Sequence, residues 1–144
     1  MADEPRDLAR YLPLSIRPRV DESRVTDDWA ARLDQLALAV PYAGAAFDAA
    51  VARARAGRRV RIADLGAALV EAYMLGDVDV DDVTSGAVAL ARAVAAPLPV
   101  RAVVRGSTLR ATDADWSFGS GPEIAGTARE LVLFLYGRGP VPSA

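Results

Sequence analysis

The stretch from Thr127 to Gly137, TARELVLFLYG, constrains the fold more than any other. Thr127 and Glu130 stand three residues apart, the spacing at which a hydroxyl and a carboxylate each accept a hydrogen bond from the other residue's main-chain amide at a helix start. Leu131 to Tyr136 then follow with no polar residue, so the helix has no face to offer to water. Gly137 supplies the left-handed stop. This predicts a C-terminal helix over about 128–136, buried all round, and the rest of the chain must provide the layers that cover it.

The segment before it reads as a small sheet. Val100 to Val104 is a β-branched run, Gly106-Ser107 a turn signal, and Thr108 to Thr112 alternates Leu109 and Ala111 with Arg110 and Thr112. Asp113-Ala114-Asp115 marks a second turn and Trp116-Ser117-Phe118 a short strand with both aromatics on one face; Gly119-Ser120-Gly121-Pro122 marks a third turn. The expectation is an antiparallel sheet over about 100–125, with the first two strands joined by a tight turn.

Helical spacing dominates upstream. Trp29, Leu33, Leu36, Ala37 and Val40 form one apolar stripe, capped by Thr26 or Asp27. Pro41 opens a second helix reaching Ala56, with Phe47, Val51 and Ala54 inward and Gly57 as its stop. Asp64 caps a third helix carrying Leu65, Leu69, Ala72 and Tyr73 and ending at Gly76. Asp81 and Asp82 start a fourth, with Val83, Ala87, Leu90, Ala91 and Val94 inward and Pro97 and Pro99 closing it. The predicted class is thus α+β, with Ala-rich helices over about 27–94 packed on the sheet. The organisation is a 1–25 arm, a 26–97 helical part and a 98–144 α/β part that shares the same core. In the arm, Leu12, Leu14 and Ile16 alternate as in a short extended segment, while Pro5, Pro13 and Pro18 argue against a long helix.

The chain's 144 residues, 52% apolar and 25% charged, suffice for a core. It contains no His, Cys or Lys, which removes most of the usual catalytic side chains and any disulfide. Ser117, Ser120 and Thr112 have no His to activate them, and the Gly119/Gly121 loop lacks the Gly, Lys and Ser/Thr of a phosphate loop. The acidic run Asp77, Asp79, Asp81, Asp82 resembles the opening of a calcium loop but has Asp82 at the sixth position and Val88 at the twelfth, where Gly and Glu are needed. Arg53, Arg55, Arg58, Arg59 and Arg61 either complement a helix end or hold an anion. A net charge of −2 gives no general reason to expect nucleic acid. No apolar run approaches the roughly 20 residues of a membrane span. With no signal-like apolar segment near residue 1 either, a cytoplasmic location is expected.

The segment LRATDADWSFGSGPEIAGTARELVLFLYGR resembles the C-terminal region of the actinobacterial maleylpyruvate isomerase-like, mycothiol-dependent enzymes, whose small terminal domain is related to sterol carrier proteins. The TDADW turn and strand, the GSGPE loop, the Gly-Thr-Ala lead into a helix, the Leu-rich helix and its Gly-Arg exit carry the resemblance, over roughly a quarter of the chain. It implies an N-terminal helical bundle with a divalent metal on His and acidic ligands, followed by a small sterol-carrier-like unit. A chain without His lacks that metal site, so neither metal nor cofactor is expected. Of the family's functional positions, Arg138 is the one that carries over, either as a holder of a carboxylate or as a helix-terminal Arg interacting with the last carbonyls.

The leading functional expectation is a metal-free protein binding an apolar or carboxylate-bearing small molecule between sheet and helices, with Trp116, Phe118, Phe134, Tyr136 and Arg138 shaping the site. A second is a metal-independent isomerase or cyclase using a tuned carboxylate among Asp113, Asp115 and Glu123. A third is a structural or partner-binding homodimer whose small-residue helices form the interface.

Overall fold

Among the described residues, six helices and three short strands carry out most of this plan. The computed structural model describes residues 28–142. The 1–25 arm and the Thr26 or Asp27 cap lie outside the described residues. The helices are α1 (Ala30–Ala39), α2 (Ala45–Arg55), α3 (Ile62–Leu75), α4 (Asp82–Ala95), α5 (Leu98–Arg105) and α6 (Ala128–Leu135). The strands β1 (Thr108–Ala111), β2 (Ser117–Gly119) and β3 (Glu123–Gly126) lie between α5 and α6.

Side chains distant in sequence set several helix starts. Asp28 Oδ1 accepts from the amides of Ala30 and Val60, and the Trp29 amide donates to the Val60 carbonyl, so the first turn of α1 is tied to the residue between α2 and α3. Helix α2 begins at Ala45 rather than Pro41, because the Glu71 carboxylate on α3 accepts from the amides of Ala46 and Phe47. Gly44 leaves the room: a Cβ there would collide with that carboxylate. Asp64 lies one turn inside α3, and its carboxylate accepts from the amide of Arg61, the residue that actually precedes the helix. Asp81 caps α4 as its position predicts, accepting from the Thr84 amide.

The predicted strand at 100–104 is a helix. Pro97 precedes α5 and Pro99 stands in its first turn, where a missing amide costs nothing and the fixed φ suits a helix. Val100 and Val104, one turn apart, pack against the core, while Leu98 and Val103 remain exposed. Val94, expected to point inward, is exposed as well.

The sheet is mixed rather than antiparallel, in the order β2-β1-β3. β2 pairs antiparallel with β1, Leu109 opposite Phe118, and β3 pairs parallel with β1, Leu109 opposite Ile124. The chain must therefore cross the start of β1 between residues 119 and 123. Gly119 and Gly121 have φ of 101° and 108°, and a Cβ on either would meet the Ser107 or Gly106 carbonyl oxygen. The Thr108 amide donates to the Pro122 carbonyl and its hydroxyl to that of Gly121, which fixes the crossing.

Helix α6 starts with the predicted reciprocal box: Glu130 N–H donates to Thr127 Oγ1, and Thr127 N–H to Glu130 Oε1. It ends with Gly137 at φ 72°, whose amide donates to Phe134 while the Arg138 amide donates to Leu133. Leu131, Val132 and Leu135 are fully buried, covered by α3, α4, β1 and β3. One hydrophobic cluster joins these residues to Leu33 of α1, Phe47 of α2 and Leu69 of α3.

Candidate functional site

A cleft of about 230 Å³ opens between α1 and the segment leading into α4, lined by Arg32, Gln35, Leu36, Asp79, Val80, Asp81 and Thr84. Arg32, Gln35 and Leu36 share one face of α1 by their spacing. Opposite them, residues 77–81 alternate: Val78 and Val80 are half-buried against the core, and Asp77, Asp79 and Asp81 face outward. Leu36 and Val80 make an apolar floor beneath a charged rim.

Arg32 Nη1 donates to Asp81 Oδ2 at 2.7 Å, so the rim is bridged on one side. Partial burial by itself would raise the Asp81 carboxyl, but the hydrogen bonds from Thr84 and the Arg32 guanidinium outweigh it and hold the group below the usual carboxylate range. Asp81 is thus an anion fixed in place, and the remaining N–H groups of Arg32 are left to meet an acceptor. With two carboxylates and one guanidinium, the arrangement suits a small polar molecule that carries both an acceptor and a donor.

The residues expected to form the ligand site are placed differently. Trp116, Phe118 and Phe134 are buried core residues. The Trp116 and Phe118 rings stack with centroids 5.8 Å apart, and the Trp116 indole donates to Ser85 Oγ on α4 at 2.9 Å. Tyr136 is half-buried with the Arg92 guanidinium 4.5 Å from its ring centre, and burial raises its hydroxyl despite that cation. Arg138 is exposed, and its amide serves the α6 C-terminus.

Two of the three candidate carboxylates hold structural contacts, and the residue bearing the third is anchored through its main chain. Asp113 Oδ1 accepts from the Ala128 amide at the start of α6. Glu123 pairs with Arg110 across β3 and β1 at 3.1 Å, both exposed. At Asp115 the main-chain amide donates to Asp82 Oδ2, anchoring the turn before β2 to the first residue of α4.

The sequence points to neither Arg32 nor Val80, and to Asp79 only through the acidic run whose spacing does not fit a calcium loop. The signal was the Asp-Val-Asp-Val-Asp alternation itself, which marks an extended segment with one apolar face. Among the described residues no three acidic side chains gather as a metal site requires, and the sequence contains no His. No single helix of the described residues is long and apolar enough to cross a membrane.

Comparison with family profiles, with curated proteins and with solved structures returned no match.

Proposed function

We propose that this chain is a small-molecule-binding relative of the mycothiol-dependent maleylpyruvate isomerase family, in which the sterol-carrier-like unit at residues 108–138 is scaffold and the ligand sits in the cleft beside α1. The observation that carries this reading is the contrast between two places: the aromatic group of the terminal unit is packed, whereas the cleft is open, with an oriented Arg32 over an apolar floor. The ligand is a small carboxylate- or carbonyl-bearing molecule. Its oxygen meets Arg32, and its apolar part rests on Leu36 and Val80. Because Asp79 and Asp81 share the rim, a hydroxy- or amino-carboxylate suits the site better than a dicarboxylate, whose second charge would be repelled.

Native mass spectrometry of the protein as purified should show a bound small molecule, and chemical-shift mapping with that molecule should move residues 32–36 and 79–84. Arg32→Gln should weaken binding roughly tenfold, the loss of a charged hydrogen bond. Shifts confined to residues 116–138 would overturn the placement, and no binding by any hydroxy- or amino-carboxylate would overturn the function.

Homodimerisation is a second reading, favoured by the exposed Val94, Leu98 and Val103 at the end of α4 and along α5. A sedimentation coefficient that stays monomeric at high protein concentration would remove it.

A further inference from the structure

The last turn of α2 and the segment joining it to α3 carry Arg53, Arg55, Arg58, Arg59 and Arg61 within nine positions, in a chain whose net charge is −2. The simplest reason for arginines at a helix C-terminus is to satisfy its last carbonyls. Here the backbone already does so for three of them. Ala52, Arg53 and Ala54 carbonyls accept from the amides of Ala56, Arg58 and Gly57, with Gly57 at φ 74°. Capping those three carbonyls therefore requires no guanidinium.

The backbone that bears them is held firmly. Val60 is fully buried, its amide bonded to Asp28 and its carbonyl to the Trp29 amide. Side chains alternate along an extended segment, so Arg59 and Arg61 stand outward on either side of it, and Arg55 and Arg58 are exposed too. Arg59 already has a partner within the protein, so the inference rests on Arg53, Arg58 and Arg61.

Arg53 is the informative one. Its Nη2 reaches the Arg59 carbonyl at 3.3 Å and its Nε lies 4.0 Å from Asp64 Oδ2, both long contacts. That Nε–H is shut off from solvent and has no hydrogen-bond acceptor. The nearest carboxylate oxygen, Asp64 Oδ2, accepts from the Arg61 amide and stays too far from Arg53 Nε for a hydrogen bond. A guanidinium this poorly satisfied gains by turning outward to a stronger acceptor.

We infer that the arginine-rich turn between α2 and α3 binds a multiply charged phosphate group, with Arg53, Arg58 and Arg61 as its donors. Phosphate suits the site because its oxygens accept several charge-assisted hydrogen bonds from guanidinium forks at once. The contacts are exposed, so binding weakens as ionic strength rises. The group can come from a soluble phosphate or from a lipid headgroup.

The test is a pair of titrations at fixed ionic strength on the wild type and on Arg58→Gln/Arg61→Gln, which alters two exposed side chains and leaves the core intact. Pyrophosphate should shift the Arg53 Nε–H and the amides of residues 57–61, with affinity about tenfold lower in the double variant, at roughly threefold per exposed ion pair. That result supports the site with a soluble phosphate as its source. If pyrophosphate is silent but vesicles of phosphatidylcholine with phosphatidic acid sediment the wild type and not the variant, the site stands with a headgroup as its source. Equal behaviour of wild type and variant in both titrations, or shifts only elsewhere, overturns it.

Discussion

At the scale of single residues, the points that matter are those where two elements touch through one atom. Gly66 lies inside α3, and a Cβ there would run into the Tyr136 hydroxyl, whose ring is held beside Arg92. Gly66→Ala should therefore lose stability by about 1 kcal/mol even though Ala favours a helix, because the overpacking cost exceeds the propensity gain. Adding Tyr136→Phe should recover most of the loss in thermal unfolding; if it recovers none, the clash is not the cause. Asp81 behaves differently. Its carboxyl is held below its unfolded value, so its contribution is present in full above about pH 4 and is lost as pH falls through the lowered folded value. Urea unfolding should put Asp81→Ala about 1 kcal/mol below the wild type at neutral pH, with the gap shrinking in acid. A gap independent of pH would show that the charge contributes nothing. Both Asp81 and the Thr127/Glu130 pair were legible in the sequence because each acts within its own first turn. Glu71 was not, since the amides it serves lie 24 and 25 residues earlier.

At the scale of elements, local signals competed, and the misreadings trace to that competition. Val100 to Val104 has the β-branched composition of a strand and also apolar residues one turn apart. The two prolines before and within its first turn decide for α5. β3 was not read as a strand, because Glu-Ile-Ala-Gly has little β propensity; only its pairing with β1 makes it one. The glycines were clearer. Gly57 and Gly137 hold φ of 74° and 72° with open space where a Cβ would go, so each Ala substitution should cost about 1 kcal/mol, the backbone term alone. Gly121 combines a positive φ with a Cβ collision against the Gly106 carbonyl, so Gly121→Ala should cost about 3 kcal/mol. Chemical denaturation of the three variants checks the order; equal losses would mean the crossing at residues 119–123 relaxes freely.

At the scale of the whole molecule, one cluster of buried side chains runs from Leu33 through Leu69 and Val88 to Leu135. The helical part and the α/β part should therefore unfold together. Trp29 and Trp116 report on opposite ends of the chain, so fluorescence of Trp29→Phe and of Trp116→Phe, each with its own midpoint in urea, should coincide with the far-UV signal of the same variant. Two separated transitions in either variant would mean the two parts hold independent cores. The sequence by itself determined the α+β class, the caps of α4 and α6, the glycine stops and the all-round burial of α6, since each depends on neighbours within a few residues. Tertiary structure alone decided the parallel pairing of β3, the start of α2, the stacking of Trp116 on Phe118 with its indole bonded to Ser85, and the cleft beside Arg32. Those depend on which distant surfaces meet, and a pattern of apolar and polar positions states that a face is covered without stating by what.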